Sequence, residues 1–290
     1  MLSDGSSVTC RHLIMCPGLK LDWDGIASLK ETLGCNGVSS NYSASGAEYT
    51  WRCLQNFKSG NALFLQPAMP IKCAGAPQKI MYLAGDYWRK NGQLPRSNLE
   101  FCLAGNVLFG VPFFVPHLHD AVDDYGIKLN FKTKLKAIDG AAKLAFFSVK
   151  TADGAISEVA KPFDFLHVVP PQTALDFVRD SPLSNAAGWV DVDQATLRHV
   201  KFANVFGLGD AASTRNAKTA AAVRMQAPVV VANLLASIDG KPMPGRYDGY
   251  GSCPLTVAYG KIVLAEFGYE GKVTPSFHPT RACRAGRRGC

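Results

Sequence analysis

The chain has 290 residues, of which 47% are hydrophobic and 19% are charged, and its formal net charge is +8. This is the composition of a globular protein large enough to bury a core, and it excludes a disordered or low-complexity chain. Four arginines in the last ten residues carry half of the net charge, and no aromatic residues are interleaved with them. We therefore expect no nucleic-acid binding.

The nine cysteines contain no CxxC pair, which argues against a zinc ribbon and a thioredoxin-type motif. Their odd number and the lack of a recognisable secretory leader disfavour a disulfide scaffold. His117 and His119 lie two residues apart on an expected helix and face different directions, so we expect no metal pair. The longest apolar run, 227–238, is too short for a membrane span and contains Pro228 and Asn233, which indicates a kinked core helix.

Apolar runs alternate with helical patterns through the first part of the chain, as in an α/β protein. We expect strands over 7–15 and 61–66 and helices over 46–57 and 76–89. Three prolines and a glycine predict an irregular loop over 67–79, and this loop contains Cys73. A Rossmann domain has a GxGxxG loop in this place, and its absence argues against nicotinamide nucleotide binding here.

The alternation continues towards the C-terminus. Further strands are expected over 98–103, 128–131, 144–151, 163–169, 189–192 and 262–267, and a further helix over 113–125. Pro170 and Pro171 follow one of these strands and indicate a crossing between domains.

The stretch 204–222 has the pattern of a ligand site: a short apolar strand, Gly207 and Gly209, Asp210, a polar loop and an alanine-rich helix start. Open α/β sheets bind ligands at the carboxyl ends of their strands. Asp210 can accept a hydrogen bond from a ribityl or ribose hydroxyl, and the helix start at 218–219 offers N–H groups to an electron-rich ring. An ordinary strand–helix turn with an Asp cap is the alternative.

Cys73 and Cys253 differ from the other cysteines because each lies in a stretch rich in glycine and proline. The glycines at 249 and 251 predict that Cys253 lies in a tight turn. Lys72, next to Cys73, favours the thiolate, which is the nucleophilic form of cysteine. From the residues alone, a redox pair and two unrelated loop thiols both remain open.

Longer motifs favour the first alternative. In chain order they are LIMCPG, SNYS, PIKCAGAPQKIMYL, LHVVPP, AAGWVDVD, VFGLGDAA, KTAAAV, RYDGYGSCPL and IVLAEF. Over residues 7–278 this set closely resembles the sulfide:quinone oxidoreductases of mitochondria and related bacteria. The resemblance implies an α/β fold with two Rossmann-like domains of the flavin disulfide reductase type, and FAD between them.

The resemblance also implies a domain organisation. Its parts are 1–57, a remnant of the FAD domain; 58–168, a central Rossmann-like domain with Cys73; 169–244, the second part of the FAD domain; 245–278, a C-terminal segment with Cys253; and 279–290, an atypical basic tail.

By the same resemblance, Cys73 and Cys253 are the catalytic pair. Sulfide opens the bridge between them, two electrons pass to FAD and then to a quinone, and the sulfane sulfur passes to glutathione or sulfite. The implied flavin-binding residues are Gly18, Gly209, Asp210, Lys218, Thr219, Ala220 and Ala221, and no metal is implied. The implied location is the surface of the mitochondrial inner membrane.

The chain departs from the family in several places. No GxGxxG occurs, and the first FAD-binding βαβ unit and the C-terminal membrane helices have no counterpart. Ala211 stands where relatives often have cysteine, and Pro228 is expected to kink the helix. We therefore expect an incomplete product that binds FAD weakly or not at all.

Two alternatives remain. An NADH:quinone or disulfide oxidoreductase of the same fold needs a nucleotide loop at 67–79, where Cys73 and Pro77 stand instead. A non-catalytic fragment needs no active pair, and a recent truncation would leave both cysteines in place.

Overall fold

The structure is a computed structural model and describes residues 4–276. Within this range the chain forms two compact units. The first unit comprises residues 4–20, Thr173–Ser252 and Glu266–Thr274, and the second comprises Leu21–Gln172, Cys253–Ala265 and residues 275–276. The expected tail over 279–290, with Cys283 and Cys290, lies outside the described residues, as does the end of the segment 245–278.

The strands, in chain order, are β1 (Leu13–Met15), β2 (Lys20–Leu21), β3 (Val38–Ser39), β4 (Gly60–Gln66), β5 (Ser97–Leu103), β6 (Lys128–Asn130), β7 (Thr133–Asp139), β8 (Leu144–Lys150), β9 (Ile156–Pro162), β10 (Phe165–His167), β11 (Gln172–Thr173), β12 (Val205–Gly207), β13 (Gly251–Ala258) and β14 (Lys261–Phe267). The α-helices are α1 (Leu29–Thr32), α2 (Ala44–Asn56), α3 (Ala76–Lys90), α4 (Val115–Asp124), α5 (Asp176–Arg179) and α6 (Ala220–Ile238).

A five-stranded parallel sheet in the order β3-β10-β4-β5-β6 forms the centre of the second unit. The central strands β4 and β10 are largely buried, as expected for parallel strands covered on both faces, which explains their apolar runs in the sequence. Phe64, Phe101 and Phe165 are fully buried, and Trp88 of α3 packs against two of them. The Trp88 indole donates to the carbonyl oxygen of Leu54 in α2 (2.9 Å), so sheet and helices share one core.

Helix α3 shows why the sequence forms a helix here. Met81, Ala84 and Trp88 recur at spacings of three and four, and all three are fully buried. Pro77 lies in the first turn, where its missing N–H is tolerated, and basic residues in the last turn favour the negative end of the helix dipole. The helix therefore lies against the sheet with its first turn fixed.

The strand order identifies the edge of the sheet at which ligands bind. The chain runs outward from β4 through β5 to β6 and then returns to the other side of β4 as β10. Such a reversal is a topological switch point, and open α/β sheets bind ligands at the carboxyl ends of the strands there. The loop with Cys73 leaves the carboxyl end of β4, at this switch point.

A three-stranded antiparallel sheet, β7-β8-β9, comes between β6 and β10 in the chain. Of these strands the sequence predicts only β8. In β7, buried Thr133 and Leu135 alternate with exposed Lys134 and Lys136, and such lysines are depleted in strands. In β9 every residue except Lys161 is exposed, so no apolar pattern marks the strand.

The first unit contains the parallel pair β1 and β12, with Leu13 opposite Val205 and Met15 opposite Gly207. The opposite edge of β1 pairs with no strand among residues 4–276. Since alternate residues of a strand direct their N–H and C=O groups to opposite sides, the peptide groups of Ile14 face that open edge. The Ile14 side chain is 41% exposed.

Helix α6 has 19 residues and a mean hydropathy of 1.4, so by length and composition alone it is able to cross a membrane. The sequence analysis expected the apolar run 227–238 to be too short to span a membrane, but the helix that contains it begins at Ala220 and is longer. Asn233, in the middle of α6, is fully buried. Its amide nitrogen donates to the carbonyl oxygens of Thr196 (2.9 Å) and Gly245 (3.1 Å), and its amide oxygen accepts from the N–H of Gly245 (2.7 Å). These bonds hold α6 to loops of the first unit.

The structure corrects several expectations. Residues 21–57 lie in the second unit rather than with the first, because β3 pairs with β10. Residues 189–192 form isolated bridges rather than a strand. The helix expected over 113–125 begins as a 3-10 turn at Pro112–Phe114 before α4. The helix start expected at 218–219 lies at Ala220, because Thr219 is its N-cap.

Candidate active site

Cys73 lies at the end of the loop that joins β4 to α3. Its backbone is left-handed, with φ of 51°, a conformation that few residues other than glycine adopt and that is enriched at functional sites. The carbonyl oxygen of Cys73 accepts a hydrogen bond from the N–H of Ala76 (2.7 Å), the first residue of α3. The loop therefore places the thiol beside the N-terminus of a 15-residue helix.

Cys253 lies in strand β13 and not in the tight turn expected from its flanking glycines. Alternate residues of β13 are buried, and Cys253 shares this buried face with Gly251 and Leu255. The glycines are read as turn residues from the sequence, but Gly251 is instead a buried strand position. The strand holds Cys253 rigidly, with only 2% of the residue exposed.

Both cysteines belong to the second unit, and their side chains meet beside Gly75. A Cβ atom at Gly75 would lie 2.5 Å from Cys253 Sγ and 2.4 Å from Leu255 Cδ2, which is closer than real contacts allow. Only glycine therefore permits this approach of the Cys73 loop to β13.

The two thiols are close enough to form a hydrogen bond to each other. This bond lowers the pKa of Cys73; the charge and hydrogen bond of Lys79 and the N–H of Ala76 add to the effect, against the opposing effect of burial. The same hydrogen bond and burial raise the pKa of Cys253. Cys73 is therefore the thiolate of the pair, and Cys253 is the thiol that donates to it.

Lys79 is a residue that the sequence analysis missed. Its Nζ lies 3.3 Å from Cys73 Sγ, close enough for a charge-assisted contact. The sequence interpretation assigned this effect to Lys72, whose backbone N–H instead donates to Gln172 Oε1 (2.7 Å). The signal that identifies Lys79 is a lysine in the first turn of the helix that follows the cysteine loop.

The other described cysteines have different surroundings. Burial raises the pKa of Cys102 to about 12, and burial also raises the pKa of Cys53. Cys10, Cys16 and Cys35 are exposed. Among the seven cysteines of residues 4–276, Cys73 is the one at which a neighbouring thiol, a lysine and a backbone N–H together favour the thiolate.

The Gly-Asp stretch forms a turn at the end of β12, in the first unit. Gly209 has φ of 72°, and its N–H donates to Gln226 Oε1 (2.8 Å). Lys218 turns inward: its Nζ donates to the carbonyl oxygens of Asp210 (2.6 Å) and Ala212 (3.1 Å). It also lies 3.7 Å from the centre of the Trp189 ring, and burial lowers its pKa to about 8. The Lys218 side chain thus stabilises the turn through hydrogen bonds to its backbone carbonyl oxygens.

Helix α6 begins directly after this turn. Thr219 is its N-cap, and its hydroxyl accepts from the N–H of Ala222 (3.2 Å). The N–H groups of Ala220 and Ala221 lie in the first turn, where no intrahelical acceptor exists for them. Gly18, with φ of 82°, follows β1, whose parallel pairing with β12 places it at the same edge as the turn. The structure thus brings the seven expected flavin-binding residues to one edge of the first unit.

The chain matches known proteins over nearly its whole length, although no protein-family profile matches it. It is 39% identical over 273 residues to a mitochondrial sulfide:quinone oxidoreductase of Mus musculus, which covers 94% of this chain and 60% of the relative. It is 41% identical over 278 residues to the protein of that name from Dictyostelium discoideum, and this match covers 95% of this chain and 60% of the relative. The chain thus spans about 60% of the length of the curated relatives it matches.

Solved structures show the fold. The sulfide:quinone oxidoreductase of Aquifex aeolicus matches with a TM-score of 0.76 and 17% identity, over 94% of this chain and 64% of that one. A chain in the mitochondrial ATP synthase structure of Tetrahymena thermophila matches with a TM-score of 0.78 and 23% identity, over 91% of this chain and 65% of that one. The water-forming NADH oxidase of Lactobacillus brevis matches with a TM-score of 0.55 and 12% identity, over 91% of this chain and 53% of that one.

These likenesses confirm the expected α/β fold of the flavin disulfide reductase type. The identity to the curated relatives confirms the resemblance that the sequence motifs indicate. The chain is therefore similar to the sulfide:quinone oxidoreductases over about 60% of their length.

Proposed function

We propose that this chain carries the sulfur chemistry of a sulfide:quinone oxidoreductase, with Cys73 and Cys253 as its redox-active pair. The observation that carries the proposal is the close approach of the two thiols beside Gly75, Lys79 and the start of α3. Relatives named for this reaction, 38–41% identical over most of the chain, support it.

In the proposed reaction, the pair begins as a disulfide and hydrosulfide is the nucleophile. Hydrosulfide attacks Cys253 Sγ, the bond between the two cysteine sulfurs breaks, and Cys73 leaves as a thiolate. Cys253 becomes a persulfide, so sulfide is oxidised to sulfane sulfur while the disulfide is reduced. This direction follows from the pKa order of the pair, because the thiol with the lower pKa is the better leaving group.

The second step removes the sulfane sulfur. A small nucleophile, such as glutathione thiolate or sulfite, attacks the outer sulfur of the persulfide, and Cys253 leaves as a thiolate. Lys79 and the N–H of Ala76 hold the negative charge of Cys73 during both steps. FAD, when bound, supplies the two-electron oxidant that restores the disulfide, and a quinone receives those electrons.

The residues of the first unit fit the ring end of a flavin. The N–H groups of Ala220 and Ala221 present partial positive charge to an electron-rich ring edge. Gly209 has the backbone conformation that a close approach requires, and Lys218 fixes the turn around Asp210. No GxGxxG loop for the pyrophosphate occurs in the 290 residues, so the fit covers the ring end alone.

We extend the proposal to the location of the chain. The relatives are named mitochondrial, and we propose that this chain acts there, at the surface of the inner membrane, where a quinone is available. The basic net charge of +8 favours attraction to an anionic membrane surface.

The sulfur step is testable without flavin. The purified chain is oxidised with diamide, treated with sulfide, digested and analysed by mass spectrometry. We expect the peptide that contains Cys253 to gain one sulfur atom in the wild type, and neither Cys73→Ser nor Cys253→Ser to take up sulfur. Sulfur uptake that persists in Cys73→Ser, or none in the wild type, contradicts the proposal.

Flavin binding requires a separate measurement. We expect the visible spectrum of the chain mixed with FAD, after gel filtration, to show little retained flavin, because the pyrophosphate loop is missing. Retained flavin bands that bleach on addition of sulfide would show that the chain completes the electron transfer by itself.

A further inference from the structure

The segment between β3 and α2, Ser40–Ser43, is the SNYS motif, to which the proposed reaction assigns no role. This segment leaves the carboxyl end of β3, next to β10 in the sheet. It therefore lies at the same sheet edge as the loop with Cys73, which leaves β4 on the other side of β10.

A buried histidine ties this segment to the end of β10. His167 is fully buried, and burial lowers its pKa to about 3, so its imidazole is neutral. Its Nε2 lies 3.3 Å from the backbone nitrogen and 3.0 Å from the side-chain Oδ1 of Asn41. In either tautomer the imidazole bonds to Asn41, and this bond fixes the backbone next to Tyr42.

Tyr42 has a buried hydroxyl that makes no hydrogen bond within residues 4–276. Burial raises the pKa of this phenol, and negative charge on Cys73, or on Cys253 when it is ionised, raises it further. The hydroxyl thus keeps its proton and lies within electrostatic reach of both sulfurs. Buried polar atoms without a partner are rare, and each requires an explanation.

We propose that the Tyr42 hydroxyl is the hydrogen-bond donor to the sulfane sulfur held on the Cys73–Cys253 pair. The persulfide extends one S–S bond beyond the thiol and, when deprotonated, carries negative charge on its outer sulfur. The phenol donates to this sulfur and keeps its own proton, so no further reactant is needed. This inference rests on the proposed function and adds a catalytic residue to it.

The hydrogen bond is present in the persulfide state and not in the thiol state. Tyr42 therefore stabilises the persulfide relative to the resting pair, a differential effect that favours sulfur uptake. Lys79 acts on the Cys73 thiolate, whereas Tyr42 acts on the sulfur that is transferred. Once the persulfide has released the hydrosulfide proton to solvent, the pair carries two negative charges, one on the Cys73 thiolate beside Lys79 and one on the outer sulfur beside Tyr42.

The test compares Tyr42→Phe with the wild type in the equilibrium yield of persulfide on Cys253, measured by mass spectrometry over a series of sulfide concentrations. We expect the sulfide concentration for half-maximal persulfide to rise about tenfold in Tyr42→Phe, as for a lost charge-assisted hydrogen bond. The matched control is Tyr49→Phe, whose hydroxyl accepts from the N–H of Gly37 (3.1 Å), and its yield should not change.

Two further readouts separate this role from a structural one. The thermal midpoint of Tyr42→Phe should equal or exceed that of the wild type, because the change removes a buried hydroxyl without a partner. The pKa of Cys73, from its alkylation rate against pH, should not change, because the phenol makes no bond to the resting thiolate.

Each outcome has a distinct meaning. Equal persulfide yields in the wild type and Tyr42→Phe, or an equal loss in Tyr49→Phe, overturn the role of Tyr42 and leave the proposed function intact. A wild-type chain that takes up no sulfur overturns the proposed function and this inference with it.

Discussion

Lys79 Nζ lies 3.3 Å from Cys73 Sγ, and both groups stand at the N-terminal end of α3. A cation in the first turn of a helix opposes the helix dipole, so this position does not favour lysine by itself. A thiolate at the same place reverses that balance, because its negative charge interacts favourably with the ammonium group and with the helix N-terminus. The contact thus identifies the sulfur that carries charge.

Lys79→Gln should raise the pKa of Cys73, because it removes the positive charge that favours the thiolate. We expect the alkylation of Cys73 by iodoacetamide at neutral pH to slow several-fold, and its midpoint against pH to move upward. Lys72→Gln is the control, and it should leave both quantities unchanged. An unaltered pH midpoint in Lys79→Gln would exclude the assigned role of the lysine.

Gly75→Ala should force the Cys73 loop and β13 apart, because the new methyl group meets Cys253 Sγ and Leu255 Cδ2. We expect a loss of about 1–3 kcal/mol in the free energy of unfolding, as for other overpacked sites, and a loss of sulfur uptake. Urea denaturation and mass spectrometry measure the two effects. Gly105→Ala is the control, since a Cβ there meets no atom within 4 Å; equal effects in both variants would contradict the close approach.

Lys218 gives a stability that depends on pH. Burial lowers its pKa from 10.5 to about 8, so between these values the unfolded chain binds more protons than the folded one. Stability then rises with pH through this window. Lys218→Met lacks this gain, so the unfolding free energy of the wild type should rise relative to that of Lys218→Met from pH 8 to pH 10. A constant difference in urea denaturation across this range would show that the lysine titrates normally.

Thr219→Ala should weaken the start of α6, because the N–H of Ala222 loses its capping hydroxyl. We expect a loss of about 1 kcal/mol in unfolding free energy. Ser43→Ala removes the corresponding cap of α2, where the hydroxyl accepts from Gly46 N (3.1 Å), and should produce a similar loss. Only Thr219→Ala should also lower the weak affinity of the chain for flavin in a fluorescence titration, and an equal lowering in both variants would separate the α6 start from the flavin site.

The sequence predicts most of the fold because the central strands β4 and β10 are apolar runs and because α2 and α3 have clear helical periodicity. It predicts β8 without β7 and β9, since the neighbours of β8 alternate charged residues or lie at an exposed edge. The strand position of Cys253 also escapes prediction: Gly251 reads as a turn residue, whereas the structure buries it in a strand.

The candidate site is predicted in part. Cys73 and Cys253 follow from the family resemblance, but Lys79 requires the fold, because the direction of its side chain depends on the start of α3. Lys218 reads as a group at a ligand site, whereas its charge is directed to the carbonyl oxygens of Asp210 and Ala212. The direction of a lysine side chain cannot be predicted from the motif in which the lysine occurs.

The open edge of β1 has a consequence for the behaviour of the chain in solution. The peptide groups of Ile14 are directed away from β12, beside a half-exposed apolar side chain. An unpaired strand edge of this kind is a template for strands of other molecules. Concentrated samples should therefore self-associate through β1, and a lysine in place of Ile14 should keep them monomeric in light scattering.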